Sequence, residues 1–403
     1  MQIPIRSFLP ADPPLAPMLF SRRPIVHRFW LTGLLAAWIG IALGFWLWAS
    51  QQGLLGIPEA WSTLKIWHAR LQIELFLGSF LLGFALQSGP HVIGGQPPSP
   101  LPLLRLLALL QIGFLLSLPL FPAWPAWIGA LLVSAAYLAA VYFLARITAS
   151  GDPLRRLSRG IPLTASFLPM AIAPWLPLDE PSVALWILFC GPVTSALVAA
   201  QQLIQNVLAG QHLRGNAARL FAALLLASWS LTTLAAFFHP QLWFAAGAAW
   251  LSLFVHFLSA TRFLQAVRQQ ALTSIQLTLL LGFAAALLAA SSLLVPQLIP
   301  QDGTLHLLGA GMFTLLILGV AARVVSFFSG IQAINDRLLS YLLLLWSLIA
   351  LFRVASASGW SPGSPLLALL LLCGSLLFAF WSARVLLCLR KISQKITPDL
   401  LYK

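Results

Sequence analysis

The chain has 403 residues, of which 60% are hydrophobic and 8% are charged, with a mean hydropathy of +0.91 and a formal net charge of +14. This composition excludes a soluble globular domain with a solvated shell and indicates a membrane protein. The cations are spread over many short segments and do not gather on one face, so attraction to anionic lipid explains the charge and nucleic-acid binding is not expected.

Long apolar runs follow one another along almost the whole chain. A helix needs about 20 apolar residues to cross a hydrocarbon core of about 30 Å, and we count twelve such runs. The sequence therefore predicts an all-α, polytopic transmembrane helix bundle. The predicted spans are 28–50, 66–88, 101–121, 124–147, 161–178, 183–209, 218–238, 241–261, 272–295, 304–328, 338–357 and 364–389.

The positive charges alternate between the gaps that separate these runs. All 23 Lys and Arg residues except Lys65, Arg70 and Arg353 fall before the first span or in every second gap after it. Cations mark the cytoplasmic side of a membrane protein, so both ends of the chain are predicted to be cytoplasmic in a bacterial inner membrane. Residues 28–389 form the predicted transmembrane domain, between an N-terminal segment, 1–27, and a basic tail, 390–403.

The fifth predicted span is rich in proline. Pro162, Pro169, Pro174 and Pro177 each lack a backbone N–H and are expected to kink or shorten a helix. Without this span, the charges after it would fall on the wrong side. The alternation therefore favours keeping 161–178 as a span.

The second span begins with the densest group of polar residues. Arg70 and Glu74 are four residues apart, so they share a helix face and can neutralise each other. His68 and Gln72 share a different face. The Arg70–Glu74 pair is interpreted either as an anchor for the helix start or as part of a functional site, because ionisable residues at membrane depth are costly.

Other polar residues of the spans are weaker candidates. His306 begins the tenth span at a predicted depth matching that of His68, and two imidazoles could bind haem iron or copper, or share no site at all. His256 lies on the inner half of the eighth span, where it could serve a proton path or a cofactor. Gln202 belongs to a polar stripe of the sixth span that either lines a cavity or bonds to a neighbouring helix.

Two stretches of the chain resemble the NnrS family. The first comprises Trp-His-Ala at 67–69, the small-residue helix 78–85 and the exit turn 89–94. The second begins with His306 and continues through 307–312 to an Arg-containing segment at 322–324. Length, the number of spans and the order of the two stretches agree with the family as well.

The resemblance implies a bacterial inner-membrane protein linked to nitric oxide metabolism and to tolerance of nitrosative stress, with haem or copper. It carries His68 and His306 over as candidate metal ligands. If haem is bound, Arg70 is a candidate to pair with a haem propionate. The chain departs from the family at two places: it reads His-Ala-Arg-Leu at 68–71 where the family continues His-Ala-His-Glu, and Phe-Phe-Ser-Gly at 327–330 where the family has Gly-His-Thr-Gly. With the ligand set reduced in this way, haem, copper or both and no cofactor at all are equally open.

Two classes of function therefore remain. The first is a haem or copper protein that senses, binds or removes nitric oxide. The second is a cofactor-free carrier or channel for a small solute, with Arg70, Glu74 and Arg353 as its polar site, or an accessory protein of a respiratory complex. Catalytic residues, the oligomeric state and the question whether the protein is an enzyme are not encoded in any of these motifs.

Overall fold

The computed structural model describes residues 23–51, 53–118, 125–269, 272–360 and 364–400. Most of the predicted N-terminal segment, residues 1–22, and the last three residues of the basic tail lie outside this part of the chain. The described residues form helices joined by turns and contain no strand, which confirms the predicted all-α fold.

In the described part of the chain, eleven helices of 17 residues or more form the bundle, and ten of them are long and apolar enough to cross a membrane. The exception is α3, whose apolar helix has 17 residues. The helices are α1 (Arg23–Gln51), α2 (Trp61–Ile93), α3 (Pro100–Leu116), α4 (Ala126–Ser150), α5 (Pro181–Leu208), α6 (Gly215–Phe237), α7 (Pro240–Ala260), α8 (Ser274–Ser292), α9 (Gln301–Ser326), α10 (Asp336–Ala357) and α11 (Ser364–Leu400).

The fifth predicted span is not one helix. Residues 153–175, here the broken segment, consist of short helical pieces, and Pro162, Pro169 and Pro174 each stand in the first turn of a new piece. A proline fits the first turn because its missing N–H has no helical partner there, and it ends the helix before it. The prolines therefore divide the segment, as the sequence indicates.

The broken segment nevertheless runs along much of α4. At its middle, Thr164 contacts the hydroxyl of Thr148 at 3.2 Å, and near its end the Ser134 hydroxyl donates to the carbonyl of Ala171 at 2.7 Å. Thr148 and Ser134 are separated by about 21 Å along a helix that rises 1.5 Å per residue. This path is what the predicted charge alternation requires, while the full number of spans and their orientation stay predictions.

The core of the bundle lies around α5. In α5, 94% of an apolar 18-residue stretch is buried inside the protein, against 28% of the equivalent stretch in α6 and in α11. Apolar side chains of the outer helices are left at the periphery, where a bilayer solvates them. Glycines permit the closest approaches, since a Cβ on Gly129 of α4 would lie 2.6 Å from the carbonyl oxygen of Gly113 in α3.

Two boundaries differ from the prediction and bear on the polar residues. Helix α9 begins at Gln301 instead of 304, so Asp302 lies in its first turn and not in a loop. Helix α2 continues to Ile93 and ends at Gly94, which has a φ of 78°. His91, predicted in the turn after the second span, therefore lies in the last turn of α2. Gly94 adopts its left-handed conformation without steric cost, because glycine has no Cβ.

Candidate functional site

Five ionisable residues from three helices meet at one end of the bundle, the end predicted to face outward. We call them the outer cluster: Lys65, His68, Asp302, His306 and Arg353. The charges of Asp302 and Arg353 act on both histidines, the charge of His68 acts on His306, and that of Lys65 acts on Asp302. The two histidines predicted to lie at matching depth therefore belong to one electrostatically coupled group.

His68 lies in a groove of α1 that two glycines create. Its Nδ1 is 2.9 Å from the carbonyl oxygen of Gly40, and a Cβ on Gly44 would lie 2.6 Å from its Cε1. Gln72 packs against Gly40 one turn further along α2. His68 and Gln72 thus share the face that faces α1, as the sequence predicts from their spacing.

His306 is oriented by the first turn of its own helix. Its Nδ1 is 2.7 Å from the backbone oxygen of Asp302 and 3.7 Å from the carboxylate Oδ1 of the same residue. The other carboxylate oxygen of Asp302 accepts a hydrogen bond of 3.2 Å from Nη2 of Arg353 in α10. Asp302 therefore joins the start of α9 to the end of α10.

The backbone contacts determine which nitrogen each imidazole can offer. A carbonyl oxygen only accepts, so Nδ1 of His68 and Nδ1 of His306 each donate a proton, which leaves the Nε2 atoms of the neutral rings with a lone pair. Among the described residues, neither Nε2 has a hydrogen-bond partner. An imidazole whose Nδ1–H is held by a carbonyl and whose Nε2 is unoccupied is arranged as metal-ligating histidines are.

The hydrogen bonding of His68 and His306 is compatible with a metal or haem that binds two imidazole nitrogens. Within the described ranges, no three His, Cys, Asp or Glu side chains come together as a metal-ligand set. His68 and His306 are the two imidazoles of the outer cluster. Haem iron and copper both accept imidazole nitrogen, so the residues present are compatible with either.

His306 stands immediately before a π-helical segment, and His68 stands three residues before another. Leu71–Leu77 follows His68 in α2, and Leu307–Phe313 begins directly after His306 in α9. A π-helical turn carries one extra residue, which re-aims the side chains on either side of it, and such turns are frequent at functional sites. The sequence carries no recognisable signal for these segments.

Arg70 and Glu74 form a second polar group within the bundle. Arg70 Nε is 3.8 Å from Glu74 Oε1, and Arg70 Nη2 donates to the carbonyl oxygen of Pro174 at 2.9 Å. Glu74 is 0% exposed, and in the described structure neither of its carboxylate oxygens has a hydrogen-bond partner. Arg353, which the sequence analysis grouped with these two, instead pairs with Asp302 in the outer cluster.

The remaining candidates lie nearer the other end of the bundle. His256 Nε2 is 3.0 Å from the backbone oxygen of Ala217, so it links α7 to α6. Gln202 accepts a hydrogen bond of 2.9 Å from Arg159 of the broken segment, which is a contact with a neighbouring element. Arg159 and its partner His212 were not predicted as site residues, although a glutamine pair on an apolar helix indicates that a polar partner must lie opposite.

A family model described as NnrS protein matches residues 27–392, which include α2, α9 and every residue of the outer cluster. No curated protein matches the chain.

Proposed function

This chain belongs to the NnrS family, and we propose on that premise that it acts in nitric oxide metabolism or in tolerance of nitrosative stress. The multi-pass helical fold and the alternating charges support a location in the inner membrane of a bacterium. The ligand in this proposal is a small uncharged gas, which reaches a site within a bundle through the bilayer itself.

The observation that carries the proposal is that two imidazoles make the same kind of hydrogen bond. His68 and His306 come from helices far apart in the sequence, yet each has its Nδ1 bound by a backbone carbonyl and its Nε2 available. We assign these two Nε2 atoms as the ligands of haem or copper. When bound, either group supplies a redox-active metal with affinity for diatomic gases.

The surrounding residues position the two rings. The carbonyls of Gly40 and Asp302 hold each ring in one tautomer and orientation, which is the role of outer-shell partners at metal sites. Arg353 and Asp302 form an ion pair at 3.2 Å beside them. Arg70 is directed toward Pro174 and Glu74, so its predicted pairing with a haem propionate remains a separate prediction.

The test is the visible spectrum of the detergent-purified chain, oxidised and dithionite-reduced, with metal analysis of the same sample. We expect a Soret band or bound copper in the parent protein and its loss in His68→Ala and in His306→Ala. His256→Ala is the matched control, because it removes an intramembrane imidazole bound to a backbone carbonyl at the other end of the bundle. A folded parent protein without colour and metal, produced in haem- and copper-supplied cells, would overturn the cofactor assignment.

A second candidate function, a cofactor-free carrier for a small solute, is favoured by Glu74. Its carboxylate is 0% exposed and has no hydrogen-bond donor in the described structure, and an intramembrane carboxylate commonly marks a solute or proton path. In that case the protein is colourless, and proteoliposomes take up a labelled solute in a manner that Glu74→Gln abolishes and His68→Ala leaves unchanged.

A further inference from the structure

A buried guanidinium lies at the end of the bundle opposite the outer cluster. Arg159 of the broken segment is 2% exposed. Its Nη1 donates to the carbonyl of Val92 at 3.2 Å and to Oε1 of Gln202 at 2.9 Å, and its Nε donates to Oε1 of Gln201 at 3.4 Å. Its Nη2 contacts Nδ1 of His212.

All of these partners are neutral. Carbonyl and amide oxygens satisfy hydrogen bonds but do not compensate a positive charge, and an uncompensated buried charge is costly. Burial lowers the pKa of Arg159 to about 10, with Arg155 and Arg214 adding to the effect, so the guanidinium is charged near neutral pH. In the described part of the chain, the one carboxylate whose charge acts on Arg159 is that of Asp152, which pairs with Arg155 at 3.3 Å.

His212 fits a role as an uncharged acceptor beside this cation. Partial burial, together with the charges of Arg159, Arg214 and Arg155, lowers its pKa to about 4. The imidazole is therefore neutral at pH 7 and presents a lone pair to Arg159. The cluster as a whole carries an excess of positive charge.

The site is built by several chain segments that are held in place. Ala209 ends α5 with a φ of 53°, and the chain then turns back, with the N–H of Gln211 bonded to the carbonyl of Thr261. This turn brings His212 over Arg159. Val92 comes from the last turn of α2, and Gln201 is anchored by its own bond of 2.8 Å to the carbonyl of Ser158.

We propose that this cluster binds a phosphate-type anion, with Arg155 and Arg214 as its contacts at the open side and the charge of the buried Arg159 behind them. Guanidinium groups match the oxygen geometry of phosphate and form strong charge-assisted bonds with it. An anion placed among the three arginines supplies the negative charge that the protein partners lack. The phosphate belongs either to an anionic lipid head group or to a soluble compound, and the proposal is independent of any metal in the outer cluster.

The test is the thermal unfolding of the full chain in a zwitterionic or neutral detergent at constant ionic strength. Inorganic phosphate is titrated against chloride in one arm, and phosphatidylglycerol is titrated against phosphatidylcholine in the other. We expect saturable stabilisation in at least one arm. Stabilisation by inorganic phosphate identifies a soluble anion, and stabilisation by phosphatidylglycerol alone identifies a lipid head group.

Two exposed arginines provide a matched pair of variants, because removal of Arg159 can itself prevent folding. Arg214 and Arg219 flank the start of α6 and are both exposed, but only Arg214 acts on Arg159 and His212. Arg214→Gln is expected to weaken phosphate or lipid binding on the order of tenfold, the typical effect of losing one charge-assisted contact. Arg219→Gln is expected to bind as the parent does.

A second readout is the titration of His212, followed by NMR in the protein labelled at histidine. Partial burial and the nearby arginines together keep the imidazole uncharged. A bound anion offsets the charge of the arginines, so phosphate or phosphatidylglycerol is expected to raise the pKa of His212. The absence of stabilisation in both arms would overturn the proposal. Equal binding by the Arg214→Gln and Arg219→Gln variants, or an unchanged His212 titration at saturating ligand, would overturn it as well.

Discussion

Gly44 of α1 leaves the space that the His68 imidazole of α2 occupies: a Cβ there would lie 2.6 Å from Cε1 of the ring. The same helix supplies the carbonyl of Gly40, which accepts the Nδ1–H of His68 at 2.9 Å. The position of this imidazole is therefore decided by a neighbouring helix and not only by its own.

The first prediction follows from this contact. Gly44→Ala is expected to displace His68, to lower the free energy of unfolding by about 1–3 kcal/mol and to reduce any visible absorption of the purified protein. Gly40→Ala is the matched control, because its Cβ overlaps Gln72 instead. It is expected to destabilise similarly and to leave the absorption closer to that of the parent. Equal loss of absorption in both variants would argue against a specific role of the space that Gly44 leaves for His68.

The second prediction concerns Tyr137 and Gly78. The Tyr137 hydroxyl donates to the backbone carbonyl of Glu74, and a Cβ on Gly78 would overlap that hydroxyl. Gly78→Ala is expected to cost about 1–3 kcal/mol of stability, and Tyr137→Phe about 0.5–1.5 kcal/mol. The double variant is expected to lose less than the sum, since removal of the hydroxyl makes room for the methyl group. Strict additivity in thermal unfolding would show that the two side chains do not meet.

The third prediction uses the ion pair between the partly buried Arg70 and the fully buried Glu74. Arg70→Leu leaves the Glu74 carboxylate buried without a cation and is expected to destabilise by about 3–5 kcal/mol, the usual cost of breaking a buried ion pair. Replacing both residues by leucine removes both charges and is expected to recover a large part of that loss. The measurement is denaturation in detergent for the parent, the two single variants and the double variant. A double variant that is less stable than Arg70→Leu would contradict the expectation.

The fourth prediction is a pH dependence that arises from His212. Its folded-state pKa is about 4 because of partial burial and the arginines around it, whereas an unfolded chain has a histidine pKa of about 6.5. Between these two values the unfolded state binds more protons, so stability is expected to fall as the pH is lowered from about 6.5 toward 4.

His212→Gln is expected to make this slope shallower, because the group that titrates is removed. His239→Gln is the control, since His239 lies exposed between α6 and α7. The measurement is the unfolding temperature of each variant between pH 7 and pH 4.5. Identical slopes in all three proteins would exclude His212 as the source.

Helix periodicity was sufficient to predict which side chains of one helix share a face. A spacing of four residues correctly placed Arg70 with Glu74 and His68 with Gln72, because side chains four apart lie on one face. The contacts between helices could not be predicted in this way. His68 meets a carbonyl 28 residues away, and Arg70 meets one 104 residues away, and neither partner carries a side-chain signal.

The cluster around Arg159 illustrates the same limit. The sequence pattern predicts Arg159 to be one more cation of a cytoplasmic loop and His212 to be a solvated loop residue. The fold instead buries Arg159 against Gln201 and Gln202 and brings His212 over it. The chain reversal after α5, with Ala209 in a left-handed conformation, decides this contact.

The sequence by itself determined that this protein is a bundle of membrane helices. A bilayer core leaves no water for backbone groups, so runs of about 20 apolar residues must become helices whatever lies beside them. The tertiary structure decided how the fifth predicted span is divided, which polar residues meet, and which nitrogen each imidazole offers. These features depend on the close approach of helices through glycines and on backbone carbonyls of neighbouring elements, which only the packed bundle brings together.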